Sequence, residues 1–262
     1  MARRALRDLI LTLADSKRLL GIHYSDWMLR APTLETGIAA SSMAQDEWGH
    51  GRLTYSLLSD FGDDPKALEH EREAGDYHSM EPLDSPFESW PEMMAASLIL
   101  DTALSVQYAA LLDSTYTPVH NRVQKLLDEE EYHFQYSAGW VKRLAAAPEA
   151  RDDLASAMAE YLPIALRWFG PNDDDVLADA RFTTAGADDL RRQYLERIGP
   201  VLSDCGLADA LPLSRSDDGW SYTRDLDWSG WDNARRRGGG TGPDEETIAR
   251  VRGDKNRAML LD

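Results

Sequence analysis

Residues 40–61 read ASSMAQDEWGHGRLTYSLLSDF. Stepping through them by threes and fours picks out Ala40, Met43, Glu47, His50, Thr54, Leu57 and Phe61, the spacing of one helix face. Most of that face suits a buried seam between helices, but Glu47 and His50 sit in its middle. A later stretch repeats the arrangement: Val123, Leu126, Glu130, His133, Ser137, Trp140 and Leu144 follow the same spacing, again with Glu and His three apart at the centre. Burying a carboxylate without a partner costs several kcal/mol. One such lapse is explained by a local salt bridge. Two, at matching depth on two helices, imply groups that meet around a shared cation.

Working outward, apolar residues recur at helical spacing over four long segments. They run from about Arg4 to Leu29, from Thr33 to Phe61, from Trp90 to Ser114, and from Pro118 to Pro148, with Pro and Gly at the boundaries. Helices of about 25 residues span nearly 40 Å, the length of a bundle. The connection from Glu69 to Pro86 reads as too charged to pack. Further helices are expected over Arg151–Trp168, Asp188–Leu202 and Asp244–Met259, with a turn-rich stretch between Asp204 and Gly242. Strand-like alternation is nowhere long enough to count. The expected fold is all-α: a ferritin-like four-helix bundle with additional C-terminal helices and an irregular tail. The expected division is 1–203 for the bundle and its extra helices, and 204–262 for a tail that Trp220, Tyr222, Trp228 and Trp231 pin to it.

Composition narrows the function. The 46 acidic and 28 basic residues give a formal charge of −18, so a nucleic-acid partner is not expected. The acid excess and the preference for arginine over lysine suit a salt-rich or high-GC host and concern solvation more than activity. There is no run of apolar residues long enough to span a membrane and no signal-peptide pattern, and a cytoplasmic location is the default. Cys205 is the only cysteine, which excludes an internal disulfide and a multi-thiolate metal site.

Glu at i and His at i+3 share a helix face, so a carboxylate oxygen and an imidazole nitrogen converge on one ion. Two facing pairs make the carboxylate-bridged two-metal arrangement of ferritin-like bundles, and oxygen and nitrogen donors suit iron or manganese. That plan needs a carboxylate from each remaining helix. Asp101, between Leu98-Ile99-Leu100 and Ala103-Leu104, is the candidate on the third. It precedes Glu130 by 29 residues, and the positions 29 and 30 residues before Glu47 are Arg18 and Lys17, both basic. Asp15, two residues from Lys17, points away from the seam if Lys17 faces in. Several readings stay open: the Lys17 ammonium replaces a metal, it neighbours a five-ligand centre, the site holds one metal, or Lys17 snorkels to the surface.

The runs Arg30-Ala31-Pro32-Thr33-Leu34, Gln45-Asp46-Glu47-Trp48-Gly49-His50-Gly51, Glu129-Glu130-Glu131-Tyr132-His133 and Phe169-Gly170-Pro171-Asn172-Asp173-Asp174 resemble the catalytic subunit of ring 1,2-phenylacetyl-CoA epoxidase. The resemblance covers nearly the whole chain. It implies a phenylacetate-catabolic monooxygenase component whose di-iron centre, reduced by a separate NADPH-dependent reductase, activates O2 to epoxidise an aryl-CoA thioester. It also implies a multisubunit complex with a homologous oxygenase subunit and a small accessory subunit. The implied metal ligands are Glu47, His50, Asp101, Glu130 and His133, with Glu47, Asp101 and Glu130 as the bridging or capping carboxylates. The family's remaining ligand, a Glu, falls at Lys17. Gly139-Trp140-Val141-Lys142-Arg143-Leu144 is similar instead to the metal-free structural subunit, so the alternative is a scaffold subunit in which Lys17 replaces the metal charge.

Other residues have plainer readings beside the functional ones. Arg235-Arg236-Arg237 with Gly238-Gly239-Gly240 reads as a solvated turn or as a cradle for CoA phosphates. Asp173-Asp174-Asp175 reads as a loop and helix cap, His23 and His120 as surface residues, and Tyr24 as a packing or channel-lining residue. For Asp101, a structural hydrogen bond to Lys17 or Tyr108 is the alternative to a ligand role.

Overall fold

The computed structural model describes residues 1–172 and 175–253, apart from the Asn121 side chain; Asp173 and Asp174 of the acidic loop lie outside the described residues. The fold class is all-α and ferritin-like. The helices are α1 (Ala2–Trp27), α2 (Leu34–Leu57), α3 (Pro65–His70), α4 (Trp90–Ala96), α5 (Thr102–Ala109), α6 (His120–Ala145), α7 (Pro148–Trp168), α8 (Val176–Asp179), α9 (Ala187–Asp204) and α10 (Glu245–Arg252). No described helix is long and apolar enough to cross a membrane. The chain forms two compact units: Arg3–Phe87 with the tail from Gly230, and Glu88–Ser229. The segment after residue 203 is thus shared between them.

In the first unit, α2 starts where the Thr33 hydroxyl accepts the Thr36 N–H. Small residues set how closely α2 approaches α1. A Cβ on Gly21 would stand 2.5 Å from Cδ1 of Trp48, and one on Gly51 would stand 3.4 Å from the Ala14 carbonyl oxygen. The α2 seam is buried at Ala40, Met43, Glu47, His50, Thr54 and Leu57, and Phe61 is half-buried beneath the Arg3 guanidinium.

The connection from Glu69 to Pro86 corrects the expectation that its charge keeps it from packing. Arg72, Tyr77, Ser79, Met80 and Leu83 are buried. Arg72 is paired with Asp15 of α1, and Asp84 with Arg237 of the tail. The charge is neutralised by partners distant in sequence, so the segment docks. Arg237 is 2% exposed, and the Arg235 guanidinium donates to the Tyr77 carbonyl at 2.8 Å. Two arginines of the triple are therefore structural clamps rather than parts of a solvated turn. His23 is also buried, with Nε2 2.9 Å from the Leu83 carbonyl oxygen, and not at the surface. Burial pushes its pKa down. Tyr24 is fully buried and packs. Asp244 caps α10 by accepting the Thr247 N–H at 2.7 Å; residues 254–259 of the expected last helix lie outside the described residues.

In the second unit, α4 and α5 form one helical rod interrupted by a π-helical turn at Ser97–Asp101. Tyr194 of α9 donates its hydroxyl to the Ile99 carbonyl within that turn, at 3.0 Å. Trp90 meets Trp140 of α6 edge to face, ring centroids 5.3 Å apart. The Phe169-Gly170-Pro171-Asn172 string follows the end of α7 and is held by the buried Arg191, which donates to the Gly170 carbonyl at 2.6 Å and also to Asn172. Gly170 has φ +94°, a conformation that favours glycine.

The tail contains a short antiparallel hairpin, β1 (Leu213–Ser216) with β2 (Gly219–Tyr222), which the sequence reading did not expect. Its anchor is Trp220, 7% exposed, whose indole lies flush on α9 at Gly199. A Cβ there would stand 2.4 Å from the ring. The Gly199→Ala variant should therefore lose about 1–3 kcal/mol by overpacking, against the gain in helix propensity that alanine normally brings. Chemical denaturation of the two proteins checks this; a stabilised variant would mean Trp220 moves aside freely.

Candidate metal centre

Each unit holds one of the two Glu-x-x-His pairs. In the second unit, α6 carries Glu130 and His133, both buried, and Asp101 stands at the end of the π turn, 2% exposed. Asp101, Glu130 and His133 each offer a ligand atom, and these atoms lie within 4.8 Å of one another. His133 Nδ1 is 3.5 Å from Asp101 Oδ2 and 3.8 Å from Glu130 Oε1. These are convergent separations, longer than hydrogen bonds, with room for an ion of 2.0–2.2 Å bond length, on the order of that for zinc-like ions, between the donors. Two carboxylates and an imidazole make a donor set that neutralises a divalent cation.

Two parts of this half are not legible in the sequence. Ser105, one turn after Asp101, has its hydroxyl 2.8 Å from Glu130 Oε2 and 3.0 Å from the Asp101 carbonyl oxygen. With one proton it donates to one of them at a time, and when it donates to Glu130 it fixes that carboxylate's rotation. The π turn is the other. One residue of extra winding changes which side chain the rod presents, and such turns concentrate at functional sites.

In the first unit, Glu47 and His50 are both buried on α2, and Thr54 bonds to the His50 carbonyl at 2.7 Å. Lys17 of α1 has no exposed surface, which removes the snorkelling reading. Its ammonium is 3.1 Å from each carboxylate oxygen of Glu47. Asp15 faces elsewhere: it is fully buried and bound by Arg72, by the Tyr55 hydroxyl at 2.5 Å and by the His78 N–H at 2.7 Å. It is not the missing first-helix ligand.

Residues 1–227 match the family model for the phenylacetic acid catabolic protein. The chain belongs to that family. Two different components of the 1,2-phenylacetyl-CoA epoxidase of Escherichia coli (strain K12) are similar to it. With the first it is 27% identical over 211 residues, which covers 78% of this chain and 68% of that relative. With the second it is 24% identical over 136 residues, which covers 51% of this chain and 55% of that relative. The family places the chain in phenylacetate catabolism as a component of an enzyme complex, and its buried Asp101, Glu130 and His133 could hold a metal ion.

Proposed function

We propose that the chain is the oxygenase-type subunit of a multisubunit phenylacetyl-CoA epoxidase-like monooxygenase, with iron held by Asp101, Glu130 and His133. The observation that carries this is the convergence of three buried oxygen and nitrogen donors on elements built to present them. When bound, iron supplies the redox chemistry of O2 activation, with electrons from a separate NADPH-dependent reductase. The protein's own contribution is placement: the π turn presents Asp101, Ser105 orients Glu130, and burial keeps bulk water from the donors. The substrate is an aryl-CoA thioester, and the partners are a homologous oxygenase subunit, a small accessory subunit and the reductase.

The resemblance also implies a second iron, bound with Glu47 and His50 to make a carboxylate-bridged pair. The first unit fits that less well, because Lys17 already neutralises Glu47 and competes with any cation for its carboxylate. A second reading therefore has its own observation: the Lys17–Glu47 pair favours a metal-free structural subunit of the same complex.

Anaerobic loading of the full chain with Fe(II), followed by elemental analysis, separates the readings. Iron that stays with the wild type and is lost in His133→Ala and Asp101→Asn supports the oxygenase reading. Its extension is phenylacetyl-CoA oxygenation once the partners and reductase are added. No retained iron would overturn it in favour of the scaffold.

A further inference from the structure

Beside the three donors, a cavity of about 350 Å³ opens between α5, α6 and α9. Its lining includes Ser105 and Glu130, and it also takes in Asp128, Glu131 and Arg197. Asp128 and Glu131 are exposed, so the lining extends from solvent to a carboxylate of the candidate centre. Arg197 and Glu131 meet there at 2.7 Å. The Arg197 guanidinium also lies over the Phe134 ring, 4.3 Å from its centroid. Ala109, half-buried, forms part of the wall.

We infer that this cavity is the route by which a divalent metal cation enters the centre, with the Arg197–Glu131 ion pair as its gate. The inference rests on the metal-binding reading of Asp101, Glu130 and His133. A dehydrating cation needs oxygen ligands along its path, and the lining offers them in order: Asp128 and Glu131 at the surface, then the Ser105 hydroxyl, then Glu130. Carboxylates outnumber Arg197 in the lining three to one; a cleft with an excess of one charge sign concentrates its counter-ion, and the chain's charge of −18 acts in the same direction. Arg197 is the cationic residue of this lining. It opposes entry in two ways: it repels the incoming ion, and it engages Glu131. Its planar guanidinium, held by both the ring and the carboxylate, is placed by two contacts and needs both to yield before it moves.

The test is the rate at which the metal-free full chain takes up Co(II), followed by the visible absorption of the bound ion. Arg197→Gln removes the gate's charge, and Ala109→Phe fills the passage. The expected result is uptake about tenfold faster in Arg197→Gln at low salt, the advantage shrinking as salt screens it. In Ala109→Phe uptake slows while the final amount bound stays that of the wild type. Wild-type rates in both variants would overturn the route, since ions would then be entering elsewhere. Absence of bound Co(II) in every protein would overturn the metal-binding reading itself, and is distinguished by its zero plateau.

Discussion

Replacing Lys17 by methionine is expected to lower the protein's stability by about 3–5 kcal/mol, the usual cost of removing one partner from a buried ion pair. Methionine keeps most of the apolar stem and removes the ammonium that lies 3.1 Å from both oxygens of the fully buried Glu47. Lys17→Glu goes further: without metal it adds a second carboxylate where a cation stood. If a cation can replace the ammonium, Fe(II) should restore the denaturation midpoint of this variant. Bound iron should then rise from about one per chain in the wild type toward about two, the number the bridged arrangement takes. An unchanged midpoint in Lys17→Met would show that Glu47 does not depend on the lysine. Failure of iron to stabilise Lys17→Glu would remove the second metal position altogether.

The same residues show how far the sequence could be read. Both seams were legible because burial follows the 3–4 spacing so closely: Ala40, Met43, Thr54 and Leu57 on α2, and Val123, Leu126, Ser137 and Leu144 on α6, are all buried. Glu47, His50, Glu130 and His133 share those faces, so they too had to be buried. Counting back 29 residues from each Glu found Asp101 and the region of Lys17, since the two helical pairs follow a similar plan. What the count could not supply was the π turn. Ser97-Leu98-Ile99-Leu100-Asp101 contains no Gly or Pro to announce a change of winding, and the turn is supported by Tyr194, nearly a hundred residues later. Ser105 was equally invisible, because a serine on a helix normally bonds back to its own turn. The hairpin escaped notice because strands of four residues are too short for alternation to be distinguished from turns. Charge was the most misleading signal. Arg72, Asp84 and Arg237 looked like solvated groups because their partners lie far away in sequence.

Arg72 provides the other large expected effect. Asp15 is buried without exposed surface, and its carboxylate is held by both terminal nitrogens of Arg72, one of them 3.0 Å away, by the Tyr55 hydroxyl and by the His78 N–H. Arg72 also donates Nε to the Leu68 carbonyl at 2.6 Å and Nη1 to the Asp76 carbonyl at 3.0 Å, and stacks over Tyr77 at 4.2 Å. Burial pushes the Tyr77 hydroxyl up to about 12 and Tyr55 well above the ordinary tyrosine range, so both stay neutral and Arg72 is the cation of the group. Arg72→Leu should cost about 3–5 kcal/mol, because Asp15 keeps its burial and loses its counter-charge. Arg72→Lys should recover only part of this, since an ammonium cannot bond bidentately while also reaching two carbonyls. The diagnostic protein is Arg72→Leu combined with Asp15→Asn. If the pair acts as one unit, the double variant should be more stable than the sum of the single losses predicts, by about 1–3 kcal/mol. Strict additivity in urea denaturation would mean that Asp15 is held by Tyr55 and the His78 amide alone. The docking of the charged connection onto α1 would then need another cause.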